Sequence, residues 1–281
     1  MCTAPILQQV LENQQTNGAF KSIIKQNNQQ CSDANACITV LVLRELLKKP
    51  GLVPTEVIDK ALNFLKSCAS VSNKGGYNFY PVQTSTQNIL QLPDDADDTA
   101  LITLMLLQTG QVSRQIVIKD TCVLLDKYRV VTTDRFQPAW IKKGAFYTWM
   151  NAIGVNVVDC CVNANIAALY AYAGLQHLRG YAEACTMITE AVRWAGRCNK
   201  RLLSLTPFYA APQELYFVVE HAVAMGAVTL THTLNMLEWI KPTKSIVDPA
   251  RPIFCSAYGL VTWYCSLLQQ LRYLPSEGTI I

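Results

Sequence analysis

The stretch DDTALITLMLL, Asp97 to Leu107, decides how the rest of the chain is read: two carboxylates, one threonine, then almost nothing but apolar side chains. A helix of this composition is apolar on every face and must be buried. It is also far shorter than the roughly 20 residues that cross a bilayer. Two other stretches resemble it, SDANACITVLVL (32–43) and VNANIAALYAY (162–172). An offset of 64 aligns Asn35, Thr99 and Asn163, then Ala36, Ala100 and Ala164, then Ile38, Ile102 and Ile166. Each copy follows a loop with glycine and an aromatic: NGAF (17–20), GGYNFY (75–80) and GAFYTW (144–149). Weaker copies are TPFYAAPQELYFVVEHA (206–222) and RPIFCSAYGLVTWYC (251–265). A recurring unit of this size is the mark of a repeat architecture.

Helical spacing predicts helices near 5–15, 33–49, 54–69, 97–110, 113–128, 160–175, 179–197, 212–226, 228–240 and 255–272, and no convincing strand alternation. The segments that return from each apolar helix carry the charge, as with Glu56, Asp59 and Lys60, or Glu190, Arg193 and Arg197. The fold expected is all-α. Residues 1–281 form one domain, an α/α barrel or toroid of about five to six helical hairpins, with apolar helices inside and charged ones outside. An open solenoid is the alternative, since repetition alone does not require closure. In both, the starts of the apolar helices share one end.

Composition narrows the function classes. The chain is 51% hydrophobic and 16% charged, below the roughly 25% charged of an average soluble protein. It carries a net charge of +4 and no Lys/Arg run longer than two, so nucleic acid is not an expected partner. No apolar stretch is long enough for a membrane span, and residues 1–20 do not read as a signal peptide. Eleven cysteines, an odd number without a C-x-x-C pair, and three histidines argue for reduced thiols in a cytoplasmic protein.

Just upstream of the opening stretch the sequence is LPDDADD (92–98), placing four carboxylates in the five residues 94–98. One or two would suffice to cap a helix and complement its dipole. Four repel one another, and carboxylates sharing a site cannot all ionise, so one holds its proton. A protonated carboxyl facing a water-poor apolar cavity can protonate a weak base such as an alkene or epoxide.

Asp95-Ala96-Asp97-Asp98-Thr99-Ala100 resembles the D-x-D-D-T-A motif of class II terpene cyclases, the family of the squalene–hopene and copalyl-type cyclases. QQTNGAF (14–20) looks like a degenerate Q-x-x-x-G-x-W repeat of that superfamily. DCCVNANIAALYA (159–171), TPFYAAPQELYF (206–217) and IFCSAYGLVT (253–262) are similar to its repeat segments. Familiar members use two helical barrels, whereas this chain has length for one, and in that it is most like the monodomain meroterpenoid cyclases. The resemblance implies a linear isoprenoid or prenylated aromatic as substrate. It makes Asp97 the proton donor, flanked by Asp95 and Asp98.

The 64-residue register brings Asn163 to the end that holds Asp97, either as its hydrogen-bond partner or as a simple cap. Carbocations formed as rings close are stabilised by aromatic faces, and the candidates are Phe79, Tyr147, Trp149, Phe208, Tyr209, Tyr216, Phe254 and Tyr258. Cyclisation by protonation requires no cofactor and no catalytic metal. Mg²⁺ enters only with a diphosphate head group, for which Lys74, Lys142, Lys143 or Arg251 are available, or if the acidic run serves ionisation chemistry. Oligomeric state is open, and a greasy substrate makes peripheral membrane contact reasonable. A zinc-dependent prenyltransferase-like site would have to use Asp159, Cys160 and Cys161 with His221 or His232. Adjacent cysteines on a helix diverge by about 100°, however. A non-catalytic helical-repeat module that binds an isoprenoid or a partner protein is the alternative from another class.

Overall fold

The computed structural model describes residues 3–81, 92–150, 156–242, 248–256 and 259–274. In chain order they form α1 (Thr3–Asn13), β1 (Ser22–Gln26), β2 (Gln29–Asp33), α2 (Ala36–Leu47), α3 (Thr55–Ser67) and α4 (Ala96–Gln108). A long outer segment follows as α5 (Arg114–Ile116), a π-helical stretch (Val117–Cys122) and α6 (Val123–Lys127). Then come α7 (Cys160–Tyr172), α8 (Tyr181–Ala195), α9 (Asn199–Leu205), α10 (Pro212–Ala224), α11 (Thr231–Leu237), β3 (Phe254–Cys255), β4 (Val261–Tyr264) and α12 (Ser266–Tyr273).

Helices dominate, as their sequences demand. Every residue of α2 from Ala36 to Leu46 is buried, as is every residue of α7 from Cys160 to Ala171. In contrast α3 buries only Val57, Ala61, Leu62, Phe64 and Leu65, the single stripe expected of an outer helix. The inner helices pack in succession, α2 on α4, α4 on α7 and α7 on α10, and α12 packs back on α2. Arg272 of α12 joins it to α10 by donating to both carboxylate oxygens of Glu214 at 2.8 Å. Outside this circuit α3 lies on α2, the π stretch on α4, α8 on α7, α11 on α10 and α1 on α12.

The expectation of a purely all-α chain is corrected by a four-stranded antiparallel sheet in the order β2-β1-β4-β3. β1 and β2 form a hairpin that turns at Asn27 and Asn28, both at positive φ (48° and 63°), where asparagine is the least strained side-chain-bearing residue. β1 also pairs with β4, Ile24 opposite Trp263, so the sheet zips the loop before α2 to the segment before α12. The helix expected over 255–272 is therefore confined to Ser266–Tyr273. Val261–Tyr264 is strand because Val261 and Trp263 turn inward while Thr262 and Tyr264 remain partly exposed, a period of two. The expected 228–240 helix divides into α11 with flanking 3₁₀ turns, and α9 is an element that the periodicity missed.

The repeat register is also corrected. The residues that cap α2, α4 and α7 are Asn35, Asp95 and Asp159, each accepting from backbone amides of its own first turn. Four positions further on, Thr39, Thr99 and Asn163 each accept from the backbone N–H of the loop aromatic, Phe20, Tyr77 and Phe146, at 3.2, 3.0 and 2.9 Å. Asn35 thus corresponds to Asp95 and not to Thr99. The alignment holds between Thr99 and Asn163 but slipped by four residues at the first copy, close to one helical turn, which leaves an apolar pattern looking unchanged. The loop glycines match in all three copies: Gly18, Gly75 and Gly144 have φ of 93°, 83° and 94°. At Gly18 a Cβ would lie 2.1 Å from the Lys60 carbonyl oxygen of α3, so nothing larger fits.

Candidate active site

Asp95 ends the loop before α4 in extended conformation (φ −135°), and its Oδ1 accepts from the backbone N–H of Asp98 at 2.8 Å. With Asp95 fixed as the cap, Asp97 and Asp98 fall in the first turn, where the helix dipole favours negative charge. All three are buried. The fourth carboxylate serves another purpose. Asp94 accepts from Ser70 and, at 2.6 Å, from Asn73 Nδ2, while its carbonyl accepts from Met150 N at 2.8 Å, so it fastens two loops together.

Asp95, Asp97 and Asp98 share the wall of a cavity of about 280 Å³. Among the described residues its other lining is largely apolar and aromatic: Phe79, Leu92, Trp149, Val162, Phe208, Phe254 and Trp263, with Cys37, Thr148, Cys255 and Ser256. The aromatic rings brace one another edge to face, Trp149 against Phe208 at 5.2 Å and Phe79 against Trp263 at 5.4 Å. The sheet supplies Phe254, Cys255 and Trp263, so the part of the fold that helical periodicity could not foresee forms one side of the cavity.

The carboxyls differ in their surroundings. Both oxygens of Asp97 are held, Oδ1 by Asn165 Nδ2 at 2.7 Å and Oδ2 by the Tyr209 hydroxyl at 2.6 Å. Burial raises the Asp97 pKa from its ordinary value, and these two donors, which favour the ionised form, pull it part of the way back. Asp98 lies well above the carboxylate range, first through burial and then through the charges of Asp95 and Asp97. Burial also raises Asp95. Asp159, capping α7 nearby, is pushed up to about 8 by burial and by the charge of Asp97. The outcome is a cluster of carboxyls displaced toward the protonated form by burial, one of which, Asp97, is held by two donors that stabilise its conjugate base.

The structure sorts the other sequence candidates. Phe79, Trp149, Phe208 and Phe254 line the cavity. Tyr209 does not line it, but its hydroxyl reaches Asp97 and its ring lies 4.9 Å from Phe254. Asn163 is displaced from the role of partner to Asp97: its side chain accepts from Phe146 N and donates to the carbonyls of Phe146 and Asp159, all at 2.9 Å. Asn165, two residues on and rotated by about 200°, makes the contact instead. Tyr216 faces away, its hydroxyl donating to Glu220 and Glu238. Tyr147 is half-buried and packs on the core away from the cavity. Tyr258 lies outside the described residues. The sequence marks Asn165, like Asn163, as a residue that needs a polar partner inside an otherwise apolar buried helix, but not which group that partner is.

Of the cations considered for a head group, Lys74 pairs with Asp120, Lys142 with Glu190 and Arg251 with Glu214. Lys143 is exposed. Among the described residues no group of three or more His, Cys, Asp or Glu is arranged to hold a metal ion, no cysteine is in a disulfide, and no helix is long and apolar enough to cross a membrane.

Neither a protein-family model nor a curated protein matches this sequence. Among solved structures, a crystal structure of a protein from Actinoplanes is similar over 96% of this chain and 99% of its own. The identity is 13% and the TM-score 0.47, too loose a likeness to assign a role to any residue.

Proposed function

We propose that this chain is a class II terpene cyclase, a single α/α barrel closed by a small sheet, in which Asp97 starts the reaction by protonating a linear isoprenoid. The observation that carries the reading is the position of the Asp95–Asp97–Asp98 cluster on the wall of an aromatic-lined cavity, with both Asp97 oxygens held by Asn165 and Tyr209. A general acid for an alkene or epoxide must keep its proton at rest and stabilise the charge left after giving it up. Burial supplies the first property and the Asn165 and Tyr209 donors the second. The electron-rich faces of Trp149, Phe208, Phe79 and Phe254 then meet the positive charge, each worth about 0.5–2 kcal/mol and more when desolvated. Preorganised walls fold the chain before the proton moves.

The cavity volume sits near the lower end of small-molecule sites, about 300–1,000 Å³, which favours a chain of sesquiterpene size within the sesqui- to diterpene range. The reaction as proposed draws on protein carboxyls alone, and Mg²⁺ enters only as counter-ion to a diphosphate on the substrate. The protein works in the cytoplasm, with peripheral contact to a membrane that stores the substrate.

The test is to incubate purified protein with farnesyl and geranylgeranyl compounds without added metal and to look for cyclic products by mass spectrometry. Ring formation should fall by about 10²–10⁴-fold in Asp97→Asn, while ligand quenching of tryptophan fluorescence is retained. A non-catalytic isoprenoid-binding module would give the quenching and no cyclic product from the wild-type protein.

A further inference from the structure

The eight residues of α12, SLLQQLRY, bury Leu267, Leu268 and Leu271, and with them two side chains that an apolar face does not call for. Gln269 is 1% exposed, and so is the Arg272 side chain. Three residues apart, they share one face of the helix. Arg272 Nη1 and Nη2 each donate to one oxygen of Glu214, in the first turn of α10. Its guanidinium lies 4.1 Å from the centre of the Phe217 ring. Arg251, from the segment that leads into β3, donates to Gln269 Oε1 at 3.1 Å and comes within 3.7 Å of a Glu214 oxygen that Arg272 already holds. Two cations therefore share one carboxylate. The other acid whose charge reaches Arg272 is Glu45, and it is taken by Arg44 and Lys48.

A guanidinium can only donate, so the bond from Arg251 fixes the orientation of the Gln269 amide and turns its NH₂ group the other way. That amide nitrogen, Arg251 Nε and Arg272 Nε are all buried, and none has an acceptor. Buried polar atoms without partners are rare and costly. These three are all donors, on residues already joined to one another through Glu214 and Gln269, and they surround one uncompensated positive charge.

We infer that the junction of α10 and α12 binds a monovalent inorganic anion of chloride size, which accepts from Arg251, Gln269 and Arg272. Chloride takes N–H donors from several directions at once, and its single charge completes the balance of Arg251 and Arg272 against Glu214. A divalent oxyanion would make the cluster negative. Water would meet the donors but leave the buried charge unpaired, which is the larger cost. None of the three residues lines the acidic cavity, and the site does not depend on what is turned over there. Its effect is on closure of the ring. α12 follows β4 after one residue, and β4 carries Trp263 into the cavity wall, so an anion that fastens α12 to α10 also steadies that wall.

The test compares thermal unfolding of the whole protein in sodium chloride and in sodium gluconate, whose anion is too large for the site, at matched ionic strength. Chloride should raise the midpoint along a binding curve, by about 3 °C for each tenfold increase above its dissociation constant, and gluconate should not. Arg251→Met removes one donor and the excess charge, and should abolish the chloride response. Gln269→Leu removes another donor and should weaken chloride binding about tenfold. Equal midpoints in the two salts overturn the site, and so does a full chloride response in both variants. Should neither variant fold, bromide diffused into crystals of the wild-type protein decides the matter. Its anomalous signal is expected between Arg251, Gln269 and Arg272; bromide found only elsewhere, or nowhere, overturns the site.

Discussion

Tyr209 and Asn165, themselves 3.2 Å apart, each hold one oxygen of Asp97, and their effect has a sign that a purely structural role would not have. Each donates to a carboxylate oxygen and so favours the ionised form, against the burial that raises the Asp97 pKa. Removing the hydroxyl in Tyr209→Phe leaves the ring beside Phe254 and takes away one donor. The Asp97 pKa then rises further and the group becomes a weaker acid. Under the proposed chemistry turnover requires protonated Asp97, so activity declines as pH rises through its pKa. In Tyr209→Phe this decline should move to higher pH while the low-pH plateau falls roughly tenfold, about one pKa unit of differential stabilisation. A lower plateau with the decline unmoved would reduce Tyr209 to a packing residue. At this scale the acidic motif was legible in the sequence because four carboxylates in five residues exceed what a cap uses. The partner of Asp97 was not, because Asn163 and Asn165 differ only in which side of α7 they occupy, and that is decided by packing.

One inner helix with the loop ahead of it is the unit this chain repeats, and its lock is the fourth helical position. Thr39, Thr99 and Asn163 each satisfy a loop amide that would otherwise be buried without a partner. Thr99→Val keeps the shape and removes the acceptor for Tyr77 N–H, which should cost about 1–3 kcal/mol. Asn163→Leu loses three bonds at once and should cost more. Urea unfolding would check both, with the midpoint lowered and the m-value unchanged; equal midpoints for Thr99→Val and wild type would remove the lock. The loops were legible because glycine beside an aromatic recurs in fixed order, and the inner helices were legible because their apolar residues occupy every face and not one stripe. The sheet was not. β2 is exposed along most of its length, so it has no buried face to create alternation, and β4 is four residues long. β2 is defined by its hairpin with β1, and β4 by pairing with the distant β1.

At the scale of the whole molecule, the circuit of inner helices concentrates buried acids at one end, and stability should therefore depend on pH in an unusual direction. Most proteins lose stability in acid because their carboxylates are stabilised as anions in the folded state. Here Asp159 sits at about 8 when folded, and an unfolded aspartate titrates near 4. The folded state holds this proton where the unfolded state has released it, so stability is fully present below about pH 4 and is lost as pH rises through about 8. Asp95, Asp97 and Asp98 are shifted the same way and steepen the loss. Buried His221, held well below its ordinary value, works the other way up to about pH 6.5, so the fall in the midpoint of thermal unfolding should be clearest between about pH 6.5 and pH 8. Asp159→Asn isolates one contributor. Asparagine also caps a helix well, so the bonds from Cys161 and Val162 N–H survive while the titrating proton is gone. The variant should be less sensitive to pH by up to one proton across this window and more stable than wild type at its alkaline end. A wild-type midpoint that climbs from about pH 6.5 to pH 8 would mean that these acids are ionised in the folded protein. The same measurement would then withdraw the proton on which the proposed chemistry depends.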